Sequence, residues 1–173
     1  ISVNKTVNFS AFARDFNFED IRPYYDAEAK TVLLKLIEDP LFFKLVNYLW
    51  PEMTMEEVRE KADSVFSNLD FQLQFMHKAI RTIISNTSTG LTYSGFEHIN
   101  KNDSYLFVAN HRDILLDSAI LQVLLVENNF STSEITFGNN LKDKGFITEF
   151  GKINRMFTVQ REGTSKELYE ISR

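Results

Sequence analysis

The residues best suited to chemistry form a short polar run at positions 110–113, Asn-His-Arg-Asp, between two apolar stretches. The preceding run at 105–109 reads Tyr-Leu-Phe-Val-Ala and predicts a buried strand, and an apolar pattern of helical period begins at Ile114. A histidine on a turn between a strand and a helix is well placed for catalysis, because loops on a rigid scaffold can aim polar groups into a cleft. His111 is therefore the first candidate for a functional residue.

Two blocks of sequence in this part of the chain resemble a known family. The run at 110–112, followed by Asp117, is similar to the first block of the glycerol-3-phosphate and lysophosphatidate acyltransferase family, in which His-x4-Asp follows a strand. The segment at 156–161, Met-Phe-Thr-Val-Gln-Arg, resembles the second block, a strand ending in Phe-Ile-x-Arg. The likeness covers residues 90–161, and two blocks in the right order are more specific than either alone.

The resemblance implies that His111 is a general base and that Asp117 is its carboxylate partner, with the acceptor hydroxyl activated directly and no acyl-enzyme. Histidine suits this role because its unperturbed pKa is about 6.5. Five residues separate His111 from Asp117 where the family has four. On one helix the additional residue would rotate the carboxylate by about 100°, but a turn before the helix could absorb it. Asp113 is the alternative partner, although its position also suits an N-cap. The third alternative is that neither aspartate pairs with the histidine.

The resemblance also implies a phosphate site at Arg161, where the second block ends. A guanidinium offers a fork of donors that matches phosphate oxygens, and Arg112 beside the histidine is a second candidate for this contact. For Arg161 the alternative is a surface salt bridge at the end of the strand. Residues 138–161 carry five cations and two anions, a local net charge of +3; the cations are Lys142, Lys144, Lys152, Arg155 and Arg161.

Composition narrows the class of protein. The chain has 173 residues, of which 43% are hydrophobic and 13% aromatic, so it has ample material for a core and disorder is not expected. A net charge of -5 argues against nucleic-acid binding. The absence of cysteine excludes disulfides and predicts an intracellular location. No apolar run reaches the roughly 20 residues of a membrane span, which predicts a cytoplasmic protein that is soluble or peripheral to the membrane.

The pattern along the chain predicts an α/β fold in two parts. Residues 1–88 form an arm and a helical lobe, in which Asp39-Pro40 and Thr54 with Glu57 mark helix starts. Residues 89–173 form an α/β domain with a partial mixed or parallel sheet and flanking helices. Its predicted strands are 91–94, 105–109, 134–137 and 156–160, and its predicted helices include 114–127 and 142–150. A later motif block of the family is missing, so we expect the amino-terminal part of a longer enzyme.

The family resemblance implies transfer of a fatty acyl group from coenzyme A or acyl carrier protein to glycerol 3-phosphate or lysophosphatidate. The acyl thioester is a co-substrate of this reaction, and no cofactor is expected. A lipid acceptor implies peripheral membrane contact, for which Phe42, Phe43 and Trp50 are candidates, with core packing as the alternative. One rival is a metal-dependent hydrolase using His111, Asp113 and Asp117, with His98 as a further candidate ligand. Another is a protein-interaction module formed by residues 26–84.

Overall fold

The computed structural model describes residue 19 and residues 21–141, 145–159, 164–166 and 169. These residues form a helix-rich structure with one small parallel sheet. The helices are α1 (Asp26–Ile37), α2 (Pro40–Leu49), α3 (Met55–Asp63), α4 (Asn68–Phe71), α5 (His77–Thr87), α6 (Leu116–Glu127) and α7 (Phe146–Ile153). The strands are β1 (Ile135–Gly138) and β2 (Met156–Val159), and short 3₁₀ helices cover Phe96–His98 and Asn139–Leu141.

The starts of two helices follow the local sequence closely. Asp39 accepts a hydrogen bond of 2.8 Å from the backbone N–H of Leu41, and Pro40 occupies the first position of α2. Thr54 and Glu57 form a reciprocal capping box at the start of α3. Both predicted starts are confirmed. They could be predicted from the sequence because capping depends on residues only a few positions apart.

A π-helical turn, Gln72–Met76, separates α4 from α5. The 3.6-residue period predicts a buried stripe through Leu73, Met76, Ile80 and Ile83, and this prediction is wrong for Leu73, which is 38% exposed. A π turn takes in an additional residue, so it rotates the buried face away from the regular helical period. The buried residues along this helix are Phe71, Gln72, Phe75, Ala79 and Ile80.

The core unites the helical lobe with α7. Phe146 of α7 packs edge-on against Phe42 of α2, and Phe150 packs edge-on against Phe71 of α4, with ring centroids 6.4 and 5.7 Å apart. Burying a side chain of this size contributes roughly 1.5–3 kcal/mol. Helix α7 is therefore fastened to the lobe by its aromatic side chains.

Strands β1 and β2 are parallel, with Ile135 opposite Met156 and Gly138 opposite Val159. The predicted strands 134–137 and 156–160 are confirmed, although β1 is shifted by one residue towards the C-terminus. Gln160, the last residue of the second predicted strand, lies outside the described residues. The predicted strands 91–94 and 105–109 are wrong, since both segments lack regular structure. A strand requires a neighbour that supplies hydrogen bonds, and no backbone hydrogen bond joins residues 105–109 to the rest of the described chain. The fold is thus α/β only in a coarse sense.

The described helices include none that is both long and apolar enough to cross a membrane. Phe42, a candidate for membrane contact, is only 4% exposed and belongs to the core. Trp50 packs against the same core and is partly buried, whereas Phe43 on α2 is 48% exposed. Phe43 alone of these three aromatic side chains lies largely at the surface.

Candidate active site

The predicted catalytic pair meets at the turn that leads into α6. The Nδ1 atom of His111 lies 3.1 Å from the Oδ2 atom of Asp117. The Oδ1 atom of Asp113 instead accepts hydrogen bonds of 2.8 and 2.7 Å from the backbone N–H groups of Leu115 and Leu116. Of the two aspartates, Asp117 is therefore the partner of the imidazole, and Asp113 accepts backbone donors as an N-cap does.

The turn absorbs the additional residue between His111 and Asp117. His111 precedes the helix, whereas Asp117 is the second residue of α6. The Oδ2 atom of Asp117 also accepts hydrogen bonds from the backbone N–H groups of Arg112, at 2.6 Å, and Asp113, at 2.9 Å. His111 Nδ1 and two backbone N–H groups thus all lie within hydrogen-bond distance of one carboxylate oxygen, and the loop folds around that oxygen. These two backbone contacts are not visible in the sequence, because they depend on the path of the turn.

The hydrogen bonds that Asp117 accepts favour its ionised form. Its pKa lies below the ordinary value, chiefly because the backbone N–H groups of Asp113 and Arg112 stabilise the ionised form, with a smaller contribution from His111. An ionised carboxylate can only accept hydrogen bonds, so the proton of a neutral His111 resides on Nδ1. The lone pair of Nε2 is then the one available to accept a proton.

The site lies open at the surface. The side chain of His111 is 63% exposed and that of Asp117 is 30% exposed. Large apolar side chains flank the histidine on both sides in sequence, and they too are exposed; they are Leu106, Val108, Ile114 and Leu115. Water therefore reaches the imidazole.

The predicted phosphate ligands are only partly described. Arg112 is exposed, and no ion pair joins its guanidinium to another residue in the described part of the chain. Arg161 lies outside the described residues, as do Lys142 and Lys144. Of the two predicted phosphate ligands, Arg112 is therefore the one that the structure describes, and it lies next to His111 in sequence.

The two remaining cations of the basic stretch make structural contacts. Lys152 donates a hydrogen bond of 3.0 Å to the carbonyl oxygen of Glu19 and lies over the ring of Tyr24. The Nη1 atom of Arg155 donates to the Oγ1 atom of Thr132 at 3.0 Å. Neither contact involves the turn that carries His111.

A buried polar network, which was not predicted from the sequence, links the π turn to the segments that precede β1 and β2. Thr132 donates to the Oε1 atom of Gln72 at 2.8 Å, and the Nε2 atom of Gln72 lies 3.3 Å from the carbonyl oxygen of Asn154. Gln72, Thr132 and Asn154 are each at most 6% exposed. Gln72 and Gln74 lie in the same helical stretch, so the sequence gives no signal that distinguishes the buried glutamine from its neighbour.

One depression at the surface of the described structure is remote from the histidine. It has a volume of about 510 Å³ and is lined by Phe96, Lys101, Phe130 and residues around them. Asn128, at its edge, follows the last residue of α6, whereas Asp117 lies at the helix start, roughly 16 Å away by the helical rise. The candidate active site and this depression therefore lie at opposite ends of α6.

The residues of the rival metal site do not assemble. Among the residues that the structure describes, no three His, Asp or Glu side chains converge as metal ligands. Asp113 directs one oxygen at two backbone donors. His98, the further candidate ligand, lies 3.4 Å from Glu97, and its side chain is 79% exposed.

The chain matches no family model, no curated protein and no solved structure. The likeness to the acyltransferase family therefore depends on the motif residues themselves.

Proposed function

We propose that the turn at residues 110–117 is the catalytic part of a glycerolipid acyltransferase. The observation that supports this is the 3.1 Å contact between His111 Nδ1 and Asp117 Oδ2, with Asp117 ionised by its backbone donors. The acyl donor is a thioester of coenzyme A or acyl carrier protein. The acceptor is the hydroxyl group of glycerol 3-phosphate or lysophosphatidate, and a lipid acceptor places the protein at a membrane surface.

The chemistry requires one base and no covalent enzyme intermediate. The Nε2 atom of His111 removes the proton of the acceptor hydroxyl as its oxygen attacks the thioester carbonyl carbon. Asp117 stabilises the imidazolium that forms. When the tetrahedral intermediate collapses, the carbon–sulfur bond breaks and the leaving thiolate takes the proton back from His111. The products are an ester and a free thiol.

The oxyanion of the intermediate needs its own hydrogen-bond donors. The backbone N–H groups of Arg112 and Asp113 are directed at Asp117, so they do not fill this role. The guanidinium of Arg112 is exposed beside the histidine and would bind the phosphate of the acceptor, where its fork of donors fits two oxygens. By resemblance, Arg161 would bind the same phosphate.

Acyl transfer to glycerol 3-phosphate and to lysophosphatidate tests the proposal, with acyl-coenzyme A and acyl carrier protein as donors. The assay compares this chain and a version extended past Arg173, because the family resemblance predicts further motif blocks there. In the active version, His111→Ala should lower kcat by roughly a hundredfold or more, as expected for a lost general base.

His98→Ala is the matched control, because His98 is also an exposed histidine but lies on the 3₁₀ helix rather than at the turn. It should leave the rate unchanged. Equal rates for the parent and His111→Ala, or no transfer by either version with any donor, would show that the proposal is wrong.

A further inference from the structure

Asp113 and Asp117 both accept backbone hydrogen bonds in the turn that leads into α6. The Oδ1 atom of Asp113 accepts from the backbone N–H groups of Leu115 and Leu116, at 2.8 and 2.7 Å. In return, the Oδ2 atom of Asp117 accepts from the backbone N–H of Asp113 at 2.9 Å. Each carboxylate therefore satisfies backbone donors close to the other, and the two aspartates close a single compact turn.

We propose that Asp113 is a positioning residue for His111 and Asp117. The inference rests on the proposed function, because it concerns how the proposed catalytic pair is assembled. Asp113 does not contact the imidazole in the described structure. It acts through the turn, which it holds so that Asp117 meets His111 across five intervening residues.

The geometry explains why such a residue is needed. A helix places side chains three or four positions apart on the same face, and His111 and Asp117 are six positions apart. Their contact depends on the turn folding back over the first residues of α6. Leu115 and Leu116 lie where the turn meets α6. The hydrogen bonds from their backbone N–H groups to Asp113 therefore stabilise the conformation of the turn.

The proposed role needs an acceptor oxygen and does not need a negative charge. The amide oxygen of asparagine accepts backbone N–H groups as well as a carboxylate does at helix starts. Asp113→Asn should therefore preserve the turn, whereas Asp113→Ala should loosen it. Asp117 differs in this respect, because its proposed role uses both its oxygen and its charge. This contrast separates the two aspartates experimentally.

The first test measures geometry without activity, by following the titration of the Asp117 carboxyl carbon by NMR. Asp117 has a lowered pKa because of the backbone donors that the turn supplies. In Asp113→Ala this pKa should move back towards the ordinary value, and in Asp113→Asn it should stay as in the parent. An unchanged Asp117 titration in Asp113→Ala would overturn the proposal, whether or not the protein catalyses acyl transfer.

The second test measures kcat and KM in the version of the protein that is active. Asp113→Ala should lower kcat by about tenfold to a hundredfold, the scale expected for a small displacement of a catalytic group, with little change in KM. Asp113→Asn should restore the parental kcat. If Asp113→Asn is as slow as Asp113→Ala, the charge is essential and the positioning role is wrong. Because Asp113→Asn must match the parent in both tests, the proposal stays falsifiable even if the alanine variant does not fold.

Discussion

The Oδ2 atom of Asp117 lies 3.1 Å from His111 Nδ1 and also accepts hydrogen bonds from the backbone N–H groups of Arg112 and Asp113. The carboxylate therefore has two roles at once, because it orients the imidazole and closes the loop that carries it. Any change at Asp117 alters both, and variants must be chosen to separate them.

Asp117→Asn separates charge from shape. Asparagine has nearly the same volume and can still accept the backbone donors, but a neutral amide stabilises an imidazolium less than a carboxylate does. We expect kcat for acyl transfer to fall by about a hundredfold or more, with the fold intact by circular dichroism. Asp103→Asn, a change at another exposed aspartate, is the control and should be neutral. A parental rate for Asp117→Asn would show that the carboxylate charge is not used.

The lowered pKa of Asp117 predicts a specific dependence of stability on pH. Since the pKa of the folded state lies below the ordinary value of 3.8, ionisation of Asp117 stabilises the folded form. That contribution is fully present above the ordinary pKa and is lost as the pH falls through the lower pKa of the folded state. The difference in unfolding free energy between the parent and Asp117→Asn should thus be constant near neutrality and shrink under acid conditions.

Urea denaturation at a series of pH values measures this difference. His98→Ala, which leaves Asp117 and its donors in place, provides a reference for general acid destabilisation. A difference that stays constant down to the most acid pH at which the protein folds would contradict the assignment of the backbone hydrogen bonds to an ionised Asp117.

The sequence was sufficient for features that depend on neighbouring residues. The helix starts at Asp39 and Thr54 could be predicted because a cap and the N–H group that it accepts are two or three residues apart. The pairing of His111 with Asp117 is also local, so a motif could indicate it. The backbone donors to Asp117 could not be predicted in the same way, because they require knowledge of how the turn folds.

Features that depend on distant contacts were predicted less well. The helical period places Leu73 on the buried face, but the π turn at Gln72–Met76 rotates the helix and exposes it. The apolar run at 105–109 has the composition of a strand. Composition cannot supply the neighbouring edge that a strand needs, so the same run lies exposed and unpaired within the described structure.

The buried network around Gln72 should be important for stability. Thr132→Val removes the hydroxyl that donates to the Oε1 atom of Gln72 and accepts from Arg155, while it preserves the side-chain volume. A buried acceptor left without its donor costs about 1–3 kcal/mol, so the free energy of unfolding should fall by that amount in urea titration. Thr136→Val, at an exposed position of β1, is the control and should be nearly neutral. Equal effects of the two substitutions would show that the network contributes little.

The exposure of Leu106 and Val108 predicts that charged side chains are tolerated at both positions. Their side chains are 89% and 87% exposed, so Leu106→Asp and Val108→Asp should each change the free energy of unfolding by no more than about 0.5 kcal/mol. Leu33→Ala, at a fully buried position, is the contrasting variant and should cost about 2–5 kcal/mol. Thermal or urea unfolding of the three variants measures these differences. Losses of several kcal/mol at Leu106 and Val108 would mean that residues 105–109 are buried as a strand in solution, and His111 would then lie at the end of that strand, as the sequence alone predicts.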